Sequence, residues 1–193
     1  MTSKNQSRER ILQTATRLFH MNGYHATGLN QIIKESGAPK GSLYYHFPDG
    51  KEQLASEAIE RFGAMVAANI LEDTQNEVDP LKAFQAHILK IADKFAVVEN
   101  IPLCADSLPI GLMAAETALV NERLRLKCEA VFERFEEIYI EKLVASDYSK
   151  EQARLISSTL NALIEGAVTL SLTKKSNQPL QDIVKMLPLL LQK

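Results

Sequence analysis

Residues 27–47, from Thr27 to Phe47, read T-G-L-N-Q-I-I-K-E-S-G-A-P-K-G-S-L-Y-Y-H-F. Leu29, Ile32 and Ile33 share one face of a short helical pattern, and Thr27 stands where an N-cap hydroxyl can satisfy the free amides of a first turn. Gly37 ends that pattern, because glycine enters the left-handed conformation at low cost and lets the chain turn sharply. Pro39 suits the first position of a following helix, where its missing N–H has no intrahelical partner. Leu43 and Phe47 lie four apart and can dock this second helix on the first. The other face then presents Lys40, Gly41, Ser42, Tyr44, Tyr45 and His46, and the whole is the pattern of a helix-turn-helix.

Two tyrosines, a histidine, a serine and a lysine on about two turns of helix make a surface suited to a duplex. Hydroxyls and imidazole can donate to phosphates or base edges, tyrosine rings can pack against thymine methyls, and Gly41 lets the backbone come close. The other reading is a helical hairpin packed inside a larger domain. Charge distribution bears on the choice. Residues 1–51 carry seven Lys/Arg against three Asp/Glu, and three of the four histidines (His20, His25, His46), whereas residues 52–193 carry fifteen against twenty-one. A basic end on an acidic body favours a polyanion at that end.

At 193 residues the chain can bury a good core in one domain or two small ones. Residues 1–25 lack the apolar stretch of a secretory signal, and no apolar run approaches the roughly 18 residues that span a bilayer. The expectation is a soluble, cytoplasmic protein with no membrane partner. Cys104 and Cys128 are too few and too far apart for a disulfide framework or a four-thiolate zinc site. They read as reduced and buried, with redox sensing as the alternative, and no metal or cofactor is expected.

Sustained strand alternation is missing, so the chain reads as all-α. Arg8 to Met21 carries Ile11, Leu12, Ala15, Leu18 and Phe19 on one stripe, ends at Gly23, and completes a three-helix core. A DNA-binding domain therefore spans residues 5–48, and residues 49–193 form a second domain. Asp49 and Glu52 are spaced to start the next helix as a capping box, with Lys51 in its first turn as a phosphate contact or a solvated lysine. That helix carries Leu54, Ile59, Phe62, Met65, Val66 and Ile70 and connects the two domains. Asp79-Pro80 opens another, residues 100–109 read as irregular, and a short helix covers 110–118. A long one follows over about 121–143, Ser149 and Gln152 start the next as a capping box, and the last begins at Pro179.

With those elements in place the sequence resembles the TetR family of transcriptional regulators. The matching residues are R-E-R-I-L-Q-T-A-T-R-L-F (8–19), G-Y-H-A-T-G-L (23–29), G-A-P-K-G-S-L-Y-Y-H-F (37–47) and K-E-Q-L (51–54). The P-D-G segment before Lys51 and C-A-D-S-L-P-I-G-L-M-A-A-E-T (104–117) are similar to the LmrA/YxaF-type subgroup. Gly28 departs from the family, which commonly has a hydroxyl residue there, and Pro39 replaces a common serine, leaving Thr27 and Lys40 as polar alternatives. The resemblance implies a homodimeric repressor that occupies a palindromic operator on double-stranded DNA and is released by a small hydrophobic effector. For the subgroup it implies drug-resistance or aromatic-compound genes and planar effectors such as flavonoids.

One helix-turn-helix reads only a few base pairs, so specificity requires a second copy along the duplex. The expected homodimer interface uses Ile156, Leu160, Leu163, Ala167 and Leu170 on one helix, and Ile183, Leu187 and Leu190 on the last. A sensing chamber is expected among Phe62, Met65, Phe84, His87, Ile91, Met113, Phe132 and Phe135, with His87 and Glu165 as anchors for ligand hydroxyls. The bland reading of these side chains is core. Two rival functions stay open: a dimeric regulator without a small-molecule effector, and a helical enzyme using the same cavity. The second finds no H-E-x-x-H, no G-x-S-x-G, no pair of Glu-x-x-His motifs and no P-loop.

Overall fold

The computed structural model describes residues 3–95 and 110–192, so Cys104 and the expected irregular stretch 100–109 lie outside the described residues. The described residues form helices and no strand: α1 (Ser3–Ala26), α2 (Leu29–Ser36), α3 (Lys40–His46), α4 (Gly50–Thr74), α5 (Pro80–Asp93), α6 (Gly111–Thr117), α7 (Glu122–Val144), α8 (Lys150–Lys174) and α9 (Gln178–Leu190). The all-α reading holds.

Two compact units divide the chain: residues 1–64 with 110–131, and residues 65–109 with 132–193. These units differ from the sequence segments 5–48 and 49–193. The first takes in the start of α4, all of α6 and the start of α7, because the N-terminal helices alone leave apolar surface to cover.

In the first unit Ile11, Ala15, Leu18 and Phe19 of α1 are buried with Ile32 of α2, Leu43 of α3, Phe47 and Leu54 of α4. α1 packs on α2, α3 and α6. Gly37 adopts φ 61° as the C-cap of α2, the left-handed turn that its sequence position demands. Pro39 is the N-cap of α3 and not its first helical residue; its carbonyl accepts the Ser42 amide at 2.9 Å. The capping box expected at α4 does not form. Gln53 Oε1 accepts the Asp49 amide at 3.3 Å, while Glu52 turns to α7 and accepts from Asn121 Nδ2 at 2.9 Å.

In the second unit both other caps form as expected. Asp79 Oδ1 accepts the Leu81 amide at 2.9 Å, and Ser149 and Gln152 make a reciprocal capping box. α9 packs on α5 and α8. Pro188 lies inside α9 and has no N–H for the carbonyl of Val184, which instead accepts from Gln85 Nε2 of α5 at 3.4 Å. Tyr148 donates its hydroxyl to Leu191 O at 2.6 Å and closes the end of the same helix. By length and average composition α8 could cross a bilayer, although no unbroken apolar run does so; Ser157, Asn161 and Ser171 are buried polar residues along it.

His20 sits on the buried face of α1, its ring 3.7 Å from that of Phe62 between centroids, and Nδ1 has no partner among the described residues. Burial lowers its pKa from 6.5 to about 4. The unfolded chain binds a proton near 6.5 while the folded one resists down to about 4, so stability is lost as pH falls through that window. Each pH unit inside it costs about 1.4 kcal/mol. Urea unfolding at a series of pH values should show this decline in the native protein and a much flatter one in His20→Leu.

Candidate nucleic-acid interface

α3 is oriented by Leu43 and by Phe47 just beyond its end, both without accessible surface. That turns Lys40, Gly41, Tyr44 and Tyr45 outward, with Ser42 and His46 half-buried at the edges. Tyr44 keeps 47% and Tyr45 68% of its surface, high values for tyrosines in a folded chain. The Tyr45 and His46 rings meet edge-on at 4.9 Å. Nothing lies within 4 Å of where a Gly41 side chain would begin, so the backbone there is open to a close approach.

Thr27 is corrected by the structure. It is fully buried and its hydroxyl lies 2.8 Å from Gly23 O and 3.1 Å from Leu18 O, tying down the end of α1. The N-cap of α2 is Gly28, which supplies no side-chain hydrogen bond. Thr27 therefore offers neither a cap nor a surface to DNA, because its oxygen is turned toward carbonyls inside the fold.

Lys51 stands in the first turn of α4, half-buried, with Nζ 4.5 Å from the Tyr24 ring centroid and donating to His25 O at 3.4 Å. Burial pushes its pKa down and the charge of Glu116 partly opposes that. Two other cations of the basic end are already paired. Arg8 binds Glu57 at 2.5 Å and lies over the Phe47 ring, and Arg17 pairs with Glu35.

The residues expected around a ligand fall into both units. Phe62 and Met113 are buried in the first, whereas Met65, Phe84, His87, Ile91, Phe132, Phe135 and Glu165 belong to the second. His87 is engaged at both ring nitrogens, by Asp73 Oδ2 at 2.9 Å on Nδ1 and by the Tyr139 hydroxyl at 3.4 Å on Nε2. Burial works against the charge on Asp73, but hydrogen bonds from His87 and Lys90 outweigh it and lower its pKa. Burial, with the charges of Glu165 and Asp73 adding to it, keeps the Tyr139 phenol protonated. Phe84 meets the Tyr139 ring edge-on at 5.4 Å. Asp73 and Tyr139 escaped the sequence reading as polar partners, and only their spacing from His87 on other helices, invisible locally, brings them there. The Cys128 thiol, buried, is pushed up to about 11, which makes it a poor nucleophile.

Of the residues expected at a dimer interface, Leu160 and Leu187 have no accessible surface within the unit, and Ile156, Ala167 and Ile183 are buried too. Leu163 and Leu170 remain exposed on α8, Leu190 is half-buried, and Leu155, Met186 and Leu189 join the exposed set. An open groove between α8 and α9 is lined by Leu163, Gly166, Leu170, Pro179 and Ile183, among others.

A helix-turn-helix with an exposed, polar and aromatic second helix, set in an all-helical chain, defines a DNA-binding regulator. The family model described as bacterial regulatory proteins, tetR family, matches residues 11–58, and that described as transcriptional regulator LmrA/YxaF-like, C-terminal domain, matches residues 80–186. The chain is 47% identical to the HTH-type transcriptional regulator YxaF of Bacillus subtilis (strain 168) over 100% of its own length and 99% of that protein's. It is 46% identical to the HTH-type transcriptional regulator LmrA of the same organism, over 99% and 100%. In fold it is similar to a TetR transcriptional regulator from Chloroflexus aurantiacus, with a TM-score of 0.80, 24% identity and 97% and 94% of the two chains covered. The chain belongs to the TetR family of transcriptional regulators, with an LmrA/YxaF-like C-terminal domain. That family consists of DNA-binding regulators and not of enzymes.

Gly28 has φ −101° and ψ 146°, and a side chain there would meet nothing within 4 Å. Gly28→Ser should fold normally, gain a few tenths of a kcal/mol from the new cap, and bind operator DNA about threefold more tightly through an added hydroxyl. Tyr45→Ala should weaken specific binding by about 1–3 kcal/mol while leaving the urea midpoint unchanged. Fluorescence anisotropy with specific and scrambled duplexes measures both.

Proposed function

We propose that the protein is a homodimeric repressor that binds a palindromic operator and is released by a small, planar, hydrophobic effector of flavonoid-like or drug-like chemistry. The observation that carries the DNA half is the exposed Tyr44/Tyr45 face of α3, held in place by fully buried Leu43 and Phe47. Lys40, Gly41, Ser42, Tyr44, Tyr45 and His46 address the major groove, and Lys51 addresses a phosphate. Such a protein works in the cytoplasm, where its operator is.

Dimerisation is supported by α8. Gly166 lies mid-helix and exposed, where glycine costs about 1 kcal/mol relative to alanine, yet no atom of its own chain occupies the space a Cβ would take. Beside it Leu163 and Leu170 are exposed apolar side chains. A second copy laid on this face gives the small residue a partner helix and covers the leucines, forming a two-fold four-helix interface. Effector release needs a ligand that binds one arrangement of the two reading helices better than the other, since equal affinity shifts nothing. Within the second unit, Met65, Phe84, Ile91, Phe132, Phe135 and Glu165 are the apolar and polar groups offered to it.

A second reading, a dimeric regulator without a small-molecule effector, is favoured by one observation: both nitrogens of His87 are already satisfied internally. Selection of bound duplexes from a random library supplies the operator, expected to be a palindrome with half-sites one helical turn or more apart. Adding planar flavonoids to that complex should release the duplex, and no release across a panel of them would favour the second reading. Leu163→Glu/Leu170→Glu should halve the solution mass and weaken operator binding at least ~100-fold, the loss expected when two linked contacts become one. A variant that stays dimeric would place the interface elsewhere.

A further inference from the structure

Lys51 lies against a turn that a residue far away in sequence also touches. Glu116, near the end of α6, accepts the backbone N–H of Tyr24 across 92 positions. That amide follows Gly23, whose φ of 81° and ψ of 172° break α1. A Cβ at residue 23 would stand 2.5 and 2.6 Å from the two Glu116 carboxylate oxygens. The positive φ favours glycine there, and a side chain at that position would also push the Glu116 carboxylate off the backbone. Beyond the break, the Tyr24 ring and the His25 carbonyl are the two groups on which the Lys51 ammonium lies, at 4.5 and 3.4 Å. Residues 23–25 thus supply both contacts of the Lys51 ammonium.

We propose that Glu116 is a positioning residue for DNA binding: by clamping the Gly23–Tyr24 turn it sets the platform from which Lys51 reaches a phosphate. The proposal rests on the reading of Lys51 as a phosphate contact. Its sign is diagnostic. Through-space electrostatics alone says that removing an acid beside a phosphate-binding lysine strengthens binding to a polyanion. Positioning says that it weakens it.

The test uses the full-length protein and an operator duplex selected with it, with Kd measured over a range of KCl concentrations. Lys51→Ala removes one phosphate contact per chain and should lower the slope of log K against log salt by about 0.9 for each. Glu116→Ala should lose about tenfold in affinity at fixed salt and show the same fall in slope. The double variant Glu116→Ala/Lys51→Ala should bind no worse than Lys51→Ala, because the acid acts through the lysine. Glu116→Gln, which keeps an acceptor for the Tyr24 amide, should retain the native slope. Glu116→Asp keeps the charge and withdraws the oxygens by one methylene; it should show the same fall in slope as Glu116→Ala, and it carries the test if Glu116→Ala does not fold. Tighter binding by Glu116→Ala, a loss of affinity at native slope, or a double variant whose losses add would each overturn the proposal. A native slope in Lys51→Ala would instead overturn the phosphate role of Lys51, and the positioning role with it.

Discussion

α3 has seven residues, and a helix so short does not persist in water by itself, where even favourable sequences need about 12–15. Its existence and its aim both depend on what Leu43 and Phe47 bury against. Each such side chain contributes about 1.5–3 kcal/mol when removed from water. Phe47 has a further part: its ring lies under the Arg8 guanidinium, and its carbonyl accepts the Gly50 amide at 2.9 Å, which turns the chain into α4. The ion pairs between α1 and α4, Arg8–Glu57 and Arg61–Glu9, are partly exposed and add at most about 1 kcal/mol each. Apolar docking sets the angle of the reading helix, and the polar contacts refine it.

Elements were legible in the sequence wherever their cause is local. Gly37 needs no neighbour to prefer a left-handed turn, and Asp79, Ser149 and Gln152 cap their helices with atoms two or three residues away. Misreadings occurred where a distant group competes for the same atom. Thr27 has the chemistry of an N-cap, but the carbonyls at the end of α1 take its hydroxyl. Asp49 and Glu52 have the spacing of a capping box, but Arg123 of α7 and Asn121 just before it draw both carboxylates away. For the same reason Glu116 was visible only as part of a motif shared with relatives. Its effect on Tyr24 depends on bringing α6 against α1, which no local pattern encodes.

The second unit shows how apolar stripes divide between core and surface. A stripe read from spacing does not say how wide the covering is. On α8, Leu160 is wholly buried whereas Leu163, only three positions on, keeps 40% of its surface. At 100° per residue the two are about 60° apart around the helix, enough to cross the margin of a groove. Pro188 is a similar case. It has no N–H to give inside α9, and the carbonyl left without a donor receives one from Gln85 on α5. Tertiary partners decided both outcomes.

Charge composition overstates the cation that the N-terminal unit has to offer DNA. Seven Lys/Arg in residues 1–51 suggest a broad basic footprint. Arg8 and Arg17 are paired with Glu57 and Glu35, and Lys51 lies against Tyr24 and His25. Arg10, Lys34 and Lys40 carry no ion pair among the described residues, and all three are exposed, on α1, on α2 and opening α3. With Arg8 and Arg17 held in ion pairs, the surface neutralises fewer phosphates than the raw count implies, and its affinity depends correspondingly less steeply on salt. Such a surface must draw a larger share of its selectivity from tyrosine, serine and imidazole contacts to base edges. It also makes the placement of each remaining ammonium matter more, because there is little redundant charge to compensate for one that is misaimed.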